Sequence, residues 1–206
     1  MIKRYILMVA IIIGLSFSFI DNGFADIWLK DPTTGCQVWS WDDGTANESV
    51  SWSGSCADGK AIGTGTLVAN DKDGLALVFN GELTAGKIHG FGTLKFRNEE
   101  TGEFDRYIGN FEGGTPKGNG IYDSSEGWRL EGYFDGAFDS GEGTLYLDEN
   151  DAVIRGEFKD GALVGVAFIY YETAEGEMYF GDMSGGARDG FGTLIHANDD
   201  SYTGEF

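Results

Sequence analysis

The chain is poor in the side chains that most often carry chemistry. Its 206 residues include two histidines, His89 and His196, and two cysteines, Cys36 and Cys56. No Ser/His/Asp or Cys/His set is suggested, and two cysteines without a nearby histidine make a poor metal site. Proline is as scarce, with only Pro32 and Pro116. That excludes a collagen-like chain despite 34 glycines. Basic residues number 14 against 34 acidic ones, for a formal net charge of −20. Nucleic acid is excluded as a partner, because phosphate contacts need a basic footprint. Anionic head groups are disfavoured for the same reason. The acidity reads first as solubility and self-repulsion of an exposed surface. After residue 25 no stretch has the length and 3.6-residue period of a helix. Disorder is excluded in turn, since aromatics make up 14% of the chain. Dense turns in an ordered β protein are what remains.

The one long apolar run lies at the N-terminus. Lys3 and Arg4 precede the 16 residues Tyr5 to Ile20, and Gly23-Phe24-Ala25 places small residues before Asp26. This is the order of a cleaved signal peptide over residues 1–25, and the run is shorter than the roughly 20 residues that span a bilayer. No cysteine ends the run, so a lipoprotein anchor is not expected. The expectation is an exported protein, periplasmic or secreted, cut near Ala25. Loss of Lys3, Arg4 and Asp21 moves the charge from −20 to −21.

Export makes the cysteines interpretable, because oxidising compartments favour disulfides. Cys36 opens the run Cys-Gln-Val-Trp-Ser-Trp and Cys56 closes Val50-Ser-Trp-Ser-Gly-Ser-Cys, with the turn-rich Asp42–Asn47 between them. Antiparallel pairing of these runs with Trp41 opposite Ser51 sets Cys36 opposite Cys56, within bridging distance. One disulfide stapling a first hairpin is predicted, joining a cap region over residues 26–49 to the first strand beyond it.

From residue 50 onward the chain repeats itself. An apolar-x-Gly-x-apolar motif occurs at Trp52/Gly54/Cys56, Phe79/Gly81/Leu83, Tyr107/Gly109/Phe111, Leu130/Gly132/Phe134, Ile154/Gly156/Phe158, Tyr179/Gly181/Met183 and Tyr202/Gly204/Phe206. The central glycines are 27, 28, 23, 24, 25 and 23 residues apart. A second motif, Gly-x-Gly-x-Leu or a near form, comes after each but the last: Gly63–Leu67, Gly90–Leu94, Gly118–Tyr122, Gly141–Leu145, Gly165–Ile169 and Gly190–Leu194. Paired motifs in fixed register mark a repeat architecture of β-hairpins, about six and a half units over residues 50–206. The half unit either caps the array or belongs to a longer one. Within a strand, residues two apart share a face. Each first strand therefore sets two apolar side chains on one face with glycine between them, and a mostly polar set on the other. Glycine weakens a strand, so it needs a reason. The predicted reason is room for rings over a backbone without Cβ, with positive φ as a second reason in the turns.

Units such as Phe79–Phe96 and Tyr179–Leu194 resemble MORN repeats (membrane occupation and recognition nexus), whose pattern is Tyr-x-Gly-x-Trp/Phe, a glycine-containing turn, then His/Gly-x-Gly-x-Leu/Tyr. Leu83 and Met183 stand where that pattern has an aromatic, and Ala167 where it has glycine. The resemblance implies an all-β fold, an elongated single-layer twisted antiparallel sheet of tandem hairpins. It also implies binding or scaffolding, by protein–protein contact or self-association, with lipid contact in some members.

No catalytic residue, cofactor or metal is expected. Gly113–Gly120 superficially resembles a phosphate loop but lacks the Ser/Thr and helix that should come next. His89 occupies a turn position typical of the family, where a structural hydrogen bond is the simpler role. The acidic clusters lack the spacing of a calcium loop, and no two carboxylates stand out as a glycosidase pair. The expectation is a non-catalytic binding or scaffolding module with a protein partner or a second copy. Cell-envelope glycan binding or degradation is the alternative, and contact with a membrane surface the third reading. The candidate binding face is the apolar stripe Phe79, Tyr107, Phe111, Leu130, Phe134, Phe158, Tyr179 and Tyr202, unless twist and neighbouring rings turn that stripe into a core.

Overall fold

A computed structural model describes residues 27–40, 49–147, 152–171 and 176–206. The leader expected over 1–25 and the Trp41–Ser51 pairing lie outside the described residues. Among those residues there are sixteen strands and no helix. They fall into two compact units divided between Glu126 and Gly127.

The N-terminal unit holds β1 (Ile27–Lys30), β2 (Gln37–Ser40), β3 (Ser49–Trp52), β4 (Ser55–Ala57), β5 (Lys60–Asp71), β6 (Gly74–Thr84), β7 (Lys87–Arg97), β8 (Phe104–Glu112) and β9 (Thr115–Asp123). The Cys36–Cys56 disulfide is present, with Cα atoms 5.7 Å apart. It does not staple the expected hairpin. β2 pairs antiparallel with β1, Trp28 opposite Trp39, while β3 and β4 both pair with β5. The reason is the Asp-Pro-Thr-Thr-Gly turn. Asp31 Oδ1 accepts the amides of Thr33 (2.7 Å) and Thr34 (3.3 Å), and Gly35 takes φ +77°. That Asx turn folds the chain back on itself before residue 41. The disulfide therefore ties the β1–β2 ribbon to β4. Asp31 Oδ2 makes a second tie by accepting the buried Trp52 amide at 3.0 Å.

The C-terminal unit holds β10 (Trp128–Asp135), β11 (Gly141–Leu147), β12 (Ala152–Lys159), β13 (Ala162–Tyr171), β14 (Met178–Ser184), β15 (Ala187–Ile195) and β16 (Ser201–Glu205), each antiparallel to the next. In both units the turns between the two strands of a repeat, β6–β7, β8–β9, β12–β13 and β14–β15, close on two residues at positive φ: Ala85–Gly86, Gly113–Gly114, Asp160–Gly161 and Gly185–Gly186. This is the type I′ geometry that matches strand twist. The second turn glycine donates its amide to the preceding hairpin, Gly86 to Ala61 O, Gly114 to Ile88 O and Gly186 to Leu163 O.

The two glycines of each Gly-x-Gly have different causes. In β9, Gly118 lies at φ +93° with only the Asn110 side chain near where a Cβ would stand, no closer than 3.8 Å, so backbone conformation selects it. Gly120 has ordinary φ, but a Cβ there would stand 2.3 Å from Tyr107 Oη and 2.5 Å from Cζ. The far end of the first strand's ring lies against the glycines of both strands. Phe79 covers Gly81 and Gly92, Tyr179 covers Gly181 and Gly192, and Trp52 covers Gly54 and Gly65 in the same way. The register slips at this point: Asn80 pairs with Thr93 but Glu82 with His89, so Gly81 faces three residues of β7. β8–β9, β12–β13 and β14–β15 slip alike. The bulge leaves a carbonyl for the phenol: Tyr107 Oη donates to Asn110 O (3.3 Å) and Tyr179 Oη to Asp182 O (2.8 Å).

Two hairpins lack the ring. Ile154 takes its place in β12, and there the second glycine is replaced by buried Ala167. In β10–β11 Leu130 takes it; the register runs unbroken from Trp128–Leu147 to Phe134–Gly141, and the two backbones close the space.

These contacts can be tested by substitution and by acid. Gly120→Ala is expected to lower stability by about 1–3 kcal/mol through overpacking against Tyr107. In a Tyr107→Ile background that penalty should nearly vanish, as the Ile154–Ala167 pair shows, whereas Gly118→Ala should cost about 1–2 kcal/mol in either background. Urea unfolding of the six chains measures this, and equal Gly120 penalties in both backgrounds would refute it. Acid bears on Asp31. The Trp52 amide holds the Asp31 carboxyl down at about 2, with Thr33 and Thr34 assisting against burial, which pushes it up. A depressed carboxyl stabilises the fold fully above the unfolded value near 3.8 and loses that contribution as pH falls toward 2. Unfolding midpoints measured from pH 5 to pH 2 should therefore drop less steeply for Asp31→Asn than for the wild type.

Candidate functional site

Seven of the eight side chains of the candidate stripe lie inside. Phe79, Tyr107, Phe111, Leu130, Phe134, Phe158 and Tyr179 are all at most 5% exposed, whereas Tyr202 in β16 is 49% exposed. The rings pack edge to face: Phe79 on Phe111 at 5.5 Å, Tyr107 on Phe111 at 5.1 Å and Tyr202 on Phe206 at 5.2 Å. Burial pushes the Tyr107 phenol up to about 12, so it stays a hydrogen-bond donor at any physiological pH. Apart from Tyr202, the stripe is thus core in each unit, built by its own rings and glycines.

Polar groups are also drawn in. Asp105 is fully buried at the start of β8 and is the hub of a turn. It accepts Ser125 N and Oγ at 2.7 Å, Asn98 Nδ2 at 3.1 Å, and the Tyr122 hydroxyl. In the C-terminal unit Glu177 receives His196 Nδ1 at 2.8 Å and lies 3.9 Å from Arg188. Arg188 stands where Ile88, Pro116 and Leu163 stand in other hairpins, stacked 4.9 Å from the Tyr179 ring centroid. Its buried Nε has no hydrogen-bond partner among the described residues. His89 is exposed on β7. Among the described residues no group of three or more His, Cys, Asp or Glu is arranged to hold a metal ion.

The opposite face of the C-terminal unit carries a feature that the repeat motif does not reveal. The first strands alone make that face mostly polar, and register brings the second strands in. One cross-strand row reads Tyr146, Val153, Tyr170, Met178, Ile195. The next reads Thr144, Arg155, Phe168, Phe180, Thr193. Beyond it lie Val166 opposite Asp182 and Phe191 opposite Glu205. Val166, Phe168, Phe180 and Phe191 are exposed, from 39% for Phe168 to 62% for Phe191. Directly opposed and diagonal positions of a sheet touch, so these side chains form one continuous patch. The corresponding rows of the N-terminal unit are mixed: one reads Val68, Val78, Lys95, Arg106, Asp123, with Arg106 paired to Asp123 at 2.6 Å, the next Thr66, Asn80, Thr93, Ile108, Ile121, and beyond it exposed Phe91 is opposite Asn110.

The two faces of the C-terminal unit should respond oppositely to truncation. Phe134→Ala opens a cavity in the core and is expected to cost about 3–5 kcal/mol. Phe180→Ala removes a solvent-facing ring and should change stability by no more than about 0.5 kcal/mol. Denaturant titration of both variants tests the assignment; a large loss at Phe180 would mean that its ring is part of the core.

Comparison with known sequences agrees with this geometry. The MORN repeat profile matches residues 79–101, 107–129 and 179–201. All three matches begin at the ring that covers the glycine pair, in β6, β8 and β14. The hairpins with Leu130 and Ile154 in place of a ring fall outside them. The chain is also similar to Alsin of Rattus norvegicus, with 24% identity over 166 residues. That stretch is 79% of this chain and 10% of Alsin, so the chain spans about a tenth of that relative's length. With the profile matched at three hairpins that share one ring-over-glycine geometry, the protein is one that carries MORN repeats.

Proposed function

We propose that this protein is an exported, non-catalytic binding module that holds a protein partner on the outer face of its C-terminal repeats. The observation that carries the reading is the patch around Phe168, Phe180 and Phe191. Core formation does not require it, because the rings and glycines of the other face already complete the buried interior. An exposed, contiguous apolar surface on a soluble β-sheet is the physical mark of a contact site. MORN repeats fit such a role, since a sheet of tandem hairpins offers a broad, regular surface on a rigid frame. Export rests on the apolar N-terminal run and is consistent with the Cys36–Cys56 bridge, which oxidising compartments favour.

The second reading, an envelope glycan binder, draws on the same exposed aromatics lying beside carboxylates. Membrane contact is the weakest, because Asp182 and Glu205 border the patch and oppose anionic head groups.

A photo-crosslinking residue placed at Phe180 and, separately, at Asn80, which lies between Thr66 and Thr93 on the N-terminal unit, separates these readings in the source cells. Protein adducts that form from position 180 and are absent from position 80 are expected. Adducts at neither position, together with sugar released from purified envelope glycan by the same chain, would replace the binding module with a glycan-active protein.

A further inference from the structure

Resting on the reading of that face as a protein-binding surface, the arrangement of charge around the patch narrows the partner. Glu142 of β11 is directly opposite Glu157 of β12. Like charges in directly opposed positions are destabilising in a sheet, so the pair is costly without a counter-charge. The line continues across the strands, on the side of the aromatic rows toward the β12–β13 and β14–β15 turns. Asp182 faces Val166 and Glu205 faces Phe191. Arg129, Arg155 and Lys159 are the basic residues of this face. Arg129 is already paired with Glu131 at 2.7 Å. Arg155 stands beside Phe168, in the apolar row, and Lys159 is at the turn end of β12. The patch is thus an apolar field with a carboxylate border along one side, on a chain whose formal charge is −20.

We propose that its occupant is a basic amphipathic protein segment. Apolar side chains of that segment would rest on Phe168, Phe180 and Phe191, and its lysines or arginines would lie along Glu142, Glu157 and Asp182. A second copy of this chain fits less well. It would bring an identical carboxylate line and a further −20 charges to the interface. A partner with an apolar stripe and a basic flank instead relieves the Glu142–Glu157 repulsion as it covers the rings.

A short helical leucine–lysine peptide is the probe, with a leucine–glutamate peptide of the same pattern as its control, titrated into the full-length chain. The leucine–lysine peptide is expected to bind and the control is not. Phe168→Ser with Phe180→Ser should weaken binding at least about tenfold, the usual scale for central interface aromatics. Glu142→Gln with Glu157→Gln should weaken it less and flatten its salt dependence. If circular dichroism shows that the double serine variant is unfolded, Phe180→Ser alone serves, since that ring is 60% exposed. Binding that is equal in the serine variants would reduce the effect to bulk charge and overturn the proposal. So would equal binding of the glutamate control. Two further results would also overturn it: wild-type dimers that the serine variants abolish, and uptake by neutral phosphatidylcholine vesicles with no peptide binding. Protein adducts from position 180 without leucine–lysine binding would leave the binding module standing and remove only this partner chemistry.

Discussion

The contact on which everything else depends is an aromatic ring seated on two glycines. In the Phe79, Tyr107 and Tyr179 hairpins the ring spans both strands and occupies the volume that two Cβ atoms would fill. That single requirement sets the sequence pattern, since both strands must offer glycine at the same level. It also shapes the backbone. The ring crosses where the register slips, and a phenol at the bulge finds a carbonyl for its hydroxyl, as in Tyr107 to Asn110 and Tyr179 to Asp182. A one-layer sheet ordinarily leaves its apolar side wet. Here each ring is covered by its own hairpin below and by edge-to-face neighbours at the side, so among the described residues burial is achieved within one sheet.

Because one face carries the whole task of burial, the other is free of it. The N-terminal unit uses that freedom for a mixed surface, where Lys95, Arg106 and Asp123 lie among Val78, Ile108 and exposed Phe91. The C-terminal unit gathers its apolar side chains into adjacent rows. Its outer rows hold Tyr146, Val153, Tyr170, Met178, Ile195, Phe168 and Phe180, with carboxylates along one margin. The contrast between two units built on the same hairpin separates what the fold demands from what it merely permits. The exposed aromatics belong to the second kind, and for that reason they carry the functional reading.

Much of this architecture is legible in the sequence, and the exceptions have physical causes. The repeat, its period and the space-making role of glycine can be read from the paired motifs, because one local packing rule is written out at each unit. The fate of the stripe is not legible. Period-two alternation says which residues share a face, and it does not say whether that face meets solvent. The outer patch escapes because it is assembled across strands from second positions such as Phe168 and Phe191, whose neighbours depend on register and bulges. The first hairpin misleads because two runs of good strand sequence outweigh the Asp31 turn, whose side chain closes on Thr33 and Thr34. Asp105 resembles one more acidic turn residue, and only the convergence of Asn98, Tyr122 and Ser125 on its oxygens draws it inside.

The placement of both partners of the ring contact within one hairpin bears on how such a chain can change over evolutionary time. A ring and its glycines travel together in a block of two dozen or so residues, so a tandem duplication copies a complete packing set and loss of a block removes one. Neither event strands a ring without its groove. Variation can be just as local: the unit with Ile154 and Ala167 has neither the ring nor the second glycine, yet it keeps the Asp160–Gly161 turn. Array length and outer-face chemistry can therefore drift independently, the first by counting blocks and the second by substitution at positions that the interior never sees.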